Sequence, residues 1–212
     1  MGILIGLSGK ARTGKDTFAT MLAYEFKKQE AIEFVSMAFA DEIKNELVRN
    51  FGLTEEQLNG NLKEKTDLRF VKESKVTYCD DVGSMGYVIC WSPRELMQEL
   101  GQFYRKIEAN HWVRILFEKI DEYKLDNVIV TDIRQPNELA AIKNIGGYHV
   151  RMERENRDVI CNSNHETETA LDSSNIDIDF HIENNGTLED LALAAKGVVK
   201  AIMIIENTKG GV

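Results

Sequence analysis

The stretch Gly9-Lys10-Ala11-Arg12-Thr13-Gly14-Lys15-Asp16-Thr17 decides the fold. It nearly matches G-x-x-x-x-G-K-[ST], a pattern whose glycines let backbone N–H groups face phosphate oxygens. The apolar run Ile3–Leu7 precedes it, and an amphipathic pattern containing Phe18, Leu22 and Phe26 follows it. Because this is the strand–loop–helix context that the motif requires, we interpret the stretch as a phosphate loop.

Each residue of the loop has an expected part in binding ATP. Lys15 is expected to reach between the β- and γ-phosphates, while Asp16 stands where the motif has a hydroxyl and Thr17 comes next. Either side chain can serve Mg²⁺, directly or through water, and the sequence leaves that choice open. The predicted ATP-binding residues from the loop are Gly9, Arg12, Thr13, Gly14, Lys15, Asp16 and Thr17, and the predicted metal residues are Asp16 and Thr17.

The rest of the chain predicts an α/β protein. Five apolar runs alternate with helical patterns, as in a parallel sheet covered by helices, so we expect a P-loop NTPase three-layer sandwich with a five-stranded parallel sheet. The predicted strands are Ile3–Leu7, Phe34–Met37, Val128–Thr131, Tyr148–Met152 and Phe180–Glu183.

Two stretches interrupt this alternation. Residues 41–123 form a predicted insertion that is mostly helical. It includes a hairpin over Lys75–Trp91 with Gly83–Gly86 at its turn. Residues 153–174 are charged and poor in apolar side chains, so we predict a lid there.

A second anion site is predicted on the helix that Ser92 caps. Arg94, Gln98, Gly101 and Arg105 fall on one helical face, and Leu96, Leu100, Phe103 and Ile107 are predicted to form the face that packs. A mid-helix glycine costs about 1 kcal/mol relative to alanine, which favours a close approach at Gly101. The alternative is a solvated face with an incidental glycine.

Further candidates lie at the ends of predicted strands. Asp132 ends a buried strand, at the edge of an α/β sheet where ligands bind, and Arg134 and Glu138 follow it. Arg134 and Glu138 can equally pair with each other. Arg151, Arg154 and Arg157 are candidates to neutralise the transferring phosphoryl group, or belong to a solvated loop. Trp112 is either core or a platform for a base.

Charge and composition exclude other classes. The net charge is −9 and no Lys/Arg tract is present, so nucleic acid is not an expected partner. No apolar run approaches the roughly 20 residues that span a bilayer, so no membrane partner is expected. The three cysteines match no zinc spacing, which favours reduced thiols in a cytoplasmic protein.

Together these residues resemble the bacteriophage deoxynucleoside monophosphate kinase family. The matching stretches are Ser8–Thr17, Arg94–Gly101, Asp132–Gln135 with Glu138, and Ile182–Glu189. The resemblance implies a nucleoside monophosphate kinase-like fold with a helical insertion and a lid. It places Asn184 near the nucleotide base and assigns to Lys10 or Arg12 the basic role that relatives give the position of Ala11. The monophosphate contacts it implies are Lys44, Arg69, Gln98, Gly101, Trp112, Asp132, Arg134 and Glu138.

The expected reaction is ATP + dNMP → ADP + dNDP with Mg²⁺. Catalysis is assigned to Lys15, Asp132, Arg134 and Arg154, and acceptor binding also to Arg94 and Arg105. The alternatives are a kinase for a small phosphorylated metabolite, of the phosphomevalonate or dephospho-coenzyme A type, and a non-catalytic nucleotide-binding regulatory module. The expected partners are small-molecule nucleotides, and a homodimer is one candidate assembly. A phage-encoded chain would act in the host cytoplasm.

Overall fold

A computed structural model describes residues 2–79, 83–155, 171 and 176–209, with the backbone alone for 76–79 and 83–85. The helices and strands follow in chain order as β1 (Leu4–Ser8), α1 (Lys15–Glu30), β2 (Val35–Met37), α2 (Ala40–Phe51), α3 (Glu55–Leu58), β3 (Val71–Cys79), β4 (Gly83–Cys90), α4 (Pro93–Ile107), α5 (His111–Glu122), β5 (Val128–Ile133), α6 (Pro136–Asn144), β6 (Tyr148–Glu153), β7 (Phe180–Glu183) and α7 (Leu188–Lys209). They divide into two compact units. One comprises the chain up to Phe39 and from Trp112 onward, and the other is Ala40–His111.

The first unit is built on a five-stranded parallel sheet. Its strand order is β2-β5-β1-β6-β7, and every pairing is parallel. Each of the five apolar runs forms a strand, so the α/β prediction is confirmed. The chain moves from β1 toward β2 on one side and from β6 toward β7 on the other. The loop after β1 therefore leaves the sheet at the reversal point where α/β proteins bind ligands.

Helices cover both faces of this sheet. Helices α1 and α7 share one core cluster with β1, β5 and β6, in which Phe18, Phe26 and Ile202 are fully buried. Helix α6 lies against the opposite face, where a Cβ on Gly6 would overlap the Ile142 side chain. The result is the three-layer α/β/α sandwich predicted from the sequence.

The second unit contains α2, α3, the β3–β4 hairpin and α4. Ser92 and Thr54 cap α4 and α3 through reciprocal hydrogen bonds with Glu95 and Gln57, as the capping-box pattern predicts. This unit ends at His111, whereas the predicted insertion ran to 123 and included α5.

The structure contains the predicted hairpin, formed by β3 and β4, but the prediction of a turn at Gly83–Gly86 was wrong. Residues Gly83–Gly86 lie within β4, where Gly83 pairs with Cys79 and Gly86 with Val76. Glycine is typical of turns, but a strand also accepts it, and the pairing register decided the outcome here.

The predicted packing face of α4 was also wrong. Phe103 and Ile107 are 58% and 72% exposed, whereas Gly101 is buried. A Cβ on Gly101 would lie 3.1 Å from Ile43 Cδ1 of α2, so the glycine admits the neighbouring helix. Periodicity identifies which side chains share a face, but the small residue determined which face could approach α2.

Candidate functional site

The phosphate loop connects β1 to α1 through backbone conformations that favour glycine. Gly9 has φ 142° and Gly14 has φ 93°, and Arg12 between them also adopts a positive φ of 63°. A Cβ on Gly9 would overlap the Met152 carbonyl oxygen, and one on Gly14 would lie 2.5 Å from Asn184 Nδ2. Both glycines are therefore required by conformation and by space.

Lys15 is the first residue of α1, and its ammonium folds back over the loop. Its Nζ donates to the carbonyl oxygens of Gly9 at 2.7 Å and Lys10 at 2.8 Å. The cation therefore lies within the loop, at the positive end of the α1 dipole. Both features favour a bound anion at this end of the helix.

Asn184, which follows β7, braces the loop from the side. Its Nδ2 donates to the Thr13 carbonyl at 2.9 Å, and its backbone N–H donates to the Glu153 carbonyl at 2.7 Å. Thr13 is 1% exposed, and its hydroxyl donates to the Lys10 carbonyl at 2.9 Å. The structure thus brings Asn184 to the loop, while its contact with a base stays a prediction.

A buried polar pair that the sequence analysis missed lies at the entrance to the loop. Ser8 Oγ and His149 Nε2 are 2.7 Å apart, and both residues are fully buried. On the other side of the ring, His149 Nδ1 lies 2.8 Å from the Asp177 carbonyl oxygen. The available signal was a histidine between the apolar strand residues Tyr148 and Val150, because a buried imidazole needs partners.

The surroundings of His149 favour its neutral form. Burial is the main cause that lowers the pKa of His149 below its ordinary value of 6.5. Nearby charges act in both directions, since Asp179 raises this pKa whereas Arg151 and Lys143 lower it.

The predicted carboxylates at the end of β5 and in α6 accept hydrogen bonds from backbone groups. Asp132 Oδ1 accepts from the Phe39 N–H at 2.7 Å. Glu138 is 4% exposed, and its Oε2 accepts from the N–H groups of Arg134 at 2.8 Å and Gln135 at 3.0 Å. These contacts fix both carboxylates at the carboxyl end of the sheet. Their roles toward an acceptor stay predictions.

Several predicted cations of the second unit pair with carboxylates. Arg69 holds Asp67 through Nε and Nη2, and these hydrogen bonds keep the pKa of Asp67 well below its usual value. Arg94 Nε donates to Glu64, and Lys44 Nζ lies 3.6 Å from Asp41.

Gln98 and Arg105 are the other predicted acceptor residues on α4. Both are partly exposed, and the Arg105 guanidinium lies close to the backbone at Gly101, where a Cβ would come within 3.4 Å of its Nη1.

The remaining candidates lie in the first unit. Trp112 is 3% exposed, which favours the core alternative for its indole. Arg151 donates to the Leu171 carbonyl and to Glu153, whose pKa is lowered chiefly by that hydrogen bond. Arg154 is exposed. Arg157 and most of the predicted lid, 156–170 and 172–174, lie outside the described residues.

The sheet order, the glycine loop and the lysine at the start of α1 define a P-loop kinase fold. A family model for deoxynucleotide monophosphate kinases matches residues 63–194. This match covers more than half of the chain and begins after the phosphate loop, so the loop is separate evidence. The chain therefore belongs to the deoxynucleotide monophosphate kinase family.

A curated relative supports the same family. A protein of Acanthamoeba polyphaga mimivirus named "Putative deoxynucleotide monophosphate kinase" is 27% identical over 192 residues, covering 89% of this chain and 91% of the relative. In the part of the chain that the structure describes, no helix has the length and hydropathy of a membrane span.

Replacing Gly14 of the loop with alanine should destabilise the protein, whereas replacing Gly197 of α7 should stabilise it. We expect Gly14→Ala to lower the free energy of unfolding by about 1–2 kcal/mol, because alanine at positive φ is strained and its Cβ crowds Asn184. The matched change Gly197→Ala in α7 meets no atom within 4 Å and should stabilise by up to about 1 kcal/mol. Urea unfolding followed by circular dichroism measures both. Equal effects of the two substitutions would contradict the loop geometry.

His149 should make the protein less stable in mild acid. Its pKa is lower in the folded state, so the unfolded state binds the proton first as the pH falls below about 6.5. The free energy of unfolding should therefore fall from pH 7 to 5.5 in the wild type and less steeply in His149→Phe. The control Tyr148→Phe removes a neighbouring buried hydroxyl and should keep the wild-type slope. If the free energy of unfolding changed with pH to the same extent in wild type and His149→Phe, the lowered pKa of His149 would be refuted.

Proposed function

We propose that the protein transfers the γ-phosphate of ATP to a deoxynucleoside monophosphate. The observation that carries the proposal is the Lys15 ammonium held within a glycine loop at the N-terminus of α1. Family membership supports the acceptor class. A kinase of this family needs a triphosphate donor, and the loop is the anion site suited to it.

The loop suits a triphosphate because it combines three sources of positive potential. Helix α1 directs its N-terminal dipole into the loop, Lys15 adds a full charge, and Arg12 is an exposed cation in the same turn. The phosphates would take the place of the Gly9 and Lys10 carbonyls as acceptors for Lys15. Asn184 would then position the loop beside the base.

Magnesium fits the start of α1. Asp16 and Thr17 are both exposed on the first helical turn, next to Lys15, and each offers an oxygen ligand. Among the described residues no group of three histidine, cysteine or carboxylate side chains forms a site that could hold a metal ion alone. We therefore assign Mg²⁺ to these two residues together with nucleotide phosphates, where it would neutralise charge on the β- and γ-oxygens.

The acceptor residues are proposed for each unit by itself. In the second unit, charge and hydrogen bonds are proposed to come from Lys44, Arg69, Arg94, Gln98 and Arg105, while the buried Gly101 lets α4 pack against Ile43 of α2. In the first unit the proposed residues are Asp132, Arg134 and Glu138, at the carboxyl end of β5 and the start of α6. Trp112 belongs to the same unit, where the burial of its indole favours a place in the core. Two cationic sets, one for each substrate, are what a phosphotransferase requires and a simple nucleotide sensor does not.

The chemistry follows from charge and alignment. An oxygen of the acceptor phosphate attacks the γ-phosphorus, the bond to the β,γ-bridging oxygen breaks, and ADP leaves. The attacking oxygen is already anionic at neutral pH, so the step needs no strong general base. Lys15, Arg134 and Arg154 are proposed to neutralise the charge spread over the phosphoryl group, and Asp132 to orient the acceptor.

Lys15→Ala should lower kcat/KM for ATP by at least about a hundredfold, because the loop loses its phosphate-neutralising charge. A coupled assay of ADP release with a panel of deoxynucleoside monophosphates measures the change. The matched control Lys28→Ala removes an exposed lysine from the same helix and should keep wild-type activity. Wild-type turnover by folded Lys15→Ala would rule out the phosphate-loop assignment.

Gln98→Ala should raise the KM of the acceptor about five- to tenfold and leave the KM of ATP near its wild-type value. The physical reason is the loss of one hydrogen bond to the acceptor. Glu99→Gln, at the exposed neighbouring position of α4, is the matched control and should change neither constant. An effect on ATP alone would show that this face of α4 is not the acceptor site.

A further inference from the structure

The strand β6 contacts the entrance of the phosphate loop at two points. His149 reaches the Ser8 hydroxyl at the last residue of β1, and the Met152 carbonyl lies against Gly9, the next residue of the chain. Ser8 and His149 are both fully buried. The two residues that flank the Ser8–Gly9 peptide are therefore both contacted by the same strand.

The proton positions in the Ser8–His149 pair can be assigned from the partners. The Asp177 carbonyl oxygen can only accept, so the nearby Nδ1 of His149 must carry a proton. In a neutral imidazole the other nitrogen, Nε2, is then an acceptor. The Ser8 hydroxyl must therefore donate to Nε2, which fixes the rotation of the Ser8 side chain.

Charged groups of α6 and of the segment before β7 stabilise the position of His149. Asp179 accepts the His149 backbone N–H at 2.7 Å, and Lys143 of α6 lies 3.1 Å from Asp177 and 2.7 Å from Asp179. Arg151 is the further charged group on β6 that influences the ring. The ring thus has one orientation, set by α6 and by the segment before β7.

The residue next to Ser8 carries one of the two carbonyls that Lys15 contacts. Lys15 Nζ donates to the carbonyl oxygen of Gly9, which is covalently joined to Ser8. The hydroxyl that contacts His149 and the carbonyl that accepts from Lys15 therefore belong to adjacent residues. We propose that His149 is a positioning residue that sets the phosphate loop through the Ser8 hydroxyl and so tunes the affinity for the donor nucleotide; this inference rests on the proposed function.

The test compares Ser8→Ala with Tyr148→Phe in the full-length chain. Tyr148 precedes His149 on β6, and its hydroxyl contacts Glu206 and Lys209 of α7 in the opposite helix layer. Each variant loses one partly or fully buried hydroxyl, but only Ser8→Ala alters the loop entrance. The readouts are backbone amide NMR spectra without nucleotide, the imidazole tautomer from ¹⁵N NMR, and calorimetric titration with Mg²⁺-ATP.

We expect His149 in the Nδ1–H tautomer in the wild type. Ser8→Ala should displace the amide signals of Gly9, Lys10 and Gly14 and weaken Mg²⁺-ATP binding about five- to tenfold. Tyr148→Phe should leave these signals and the affinity within about twofold of wild type, a change smaller than one hydrogen bond. Should Ser8→Ala not fold, Ser8→Cys replaces it, because a thiol is a weak donor.

An Nε2–H tautomer would overturn the proposal. So would unmoved loop amides in Ser8→Ala, or an unchanged affinity in a protein whose wild type binds Mg²⁺-ATP. Failure of the wild type to bind any nucleoside triphosphate would instead refute the proposed function, and the amide signals alone would then decide the role of His149.

Discussion

The structure depends on one constraint, the reversal of the chain between the end of β1 and the start of α1. Gly9 and Gly14 make this turn at positive φ, with the Met152 carbonyl and the Asn184 amide where side chains would otherwise lie. Because β1 is the central strand, the turn also places the N-terminus of α1 at the reversal point of the sheet. The fold and the proposed anion site therefore depend on the same few backbone angles.

The electrostatic attraction that this acidic chain can offer a nucleotide is local. The net charge of −9 gives no general attraction for nucleotides, so binding must come from focused cations. Arg69, Arg94 and Lys44 each lie against a carboxylate of their own unit. If these cations bind the acceptor phosphate as proposed, the phosphate would exchange with that carboxylate, and the affinity would be a difference between two ion pairs. Such pairing also holds the side chains in order before a ligand arrives.

The sequence predicts the central sheet and the phosphate loop because both depend on local signals. Buried parallel strands read as short apolar runs, and the glycine spacing of the loop follows from backbone geometry. Both signals can be recognised in the sequence without knowledge of tertiary contacts. The position of Lys15 at the start of α1 follows from the same pattern.

The features that the sequence did not reveal depend on contacts between distant segments. The exposed position of Phe103 follows from Gly101 admitting Ile43, which no periodicity encodes. The pairing of Ser8 with His149 joins residues 141 positions apart, and its partner Asp177 lies in a further segment. The strand register likewise decided where the β3–β4 hairpin turns.

The most direct test of the central claim follows the γ-phosphate itself. The purified protein is incubated with ATP labelled at the γ-phosphate, Mg²⁺ and each deoxynucleoside monophosphate in turn, and the labelled products are separated. The account predicts labelled deoxynucleoside diphosphate in a one-to-one ratio with ADP, formed only when an acceptor is present. Label released as inorganic phosphate with every acceptor, and never found in a diphosphate, would contradict it.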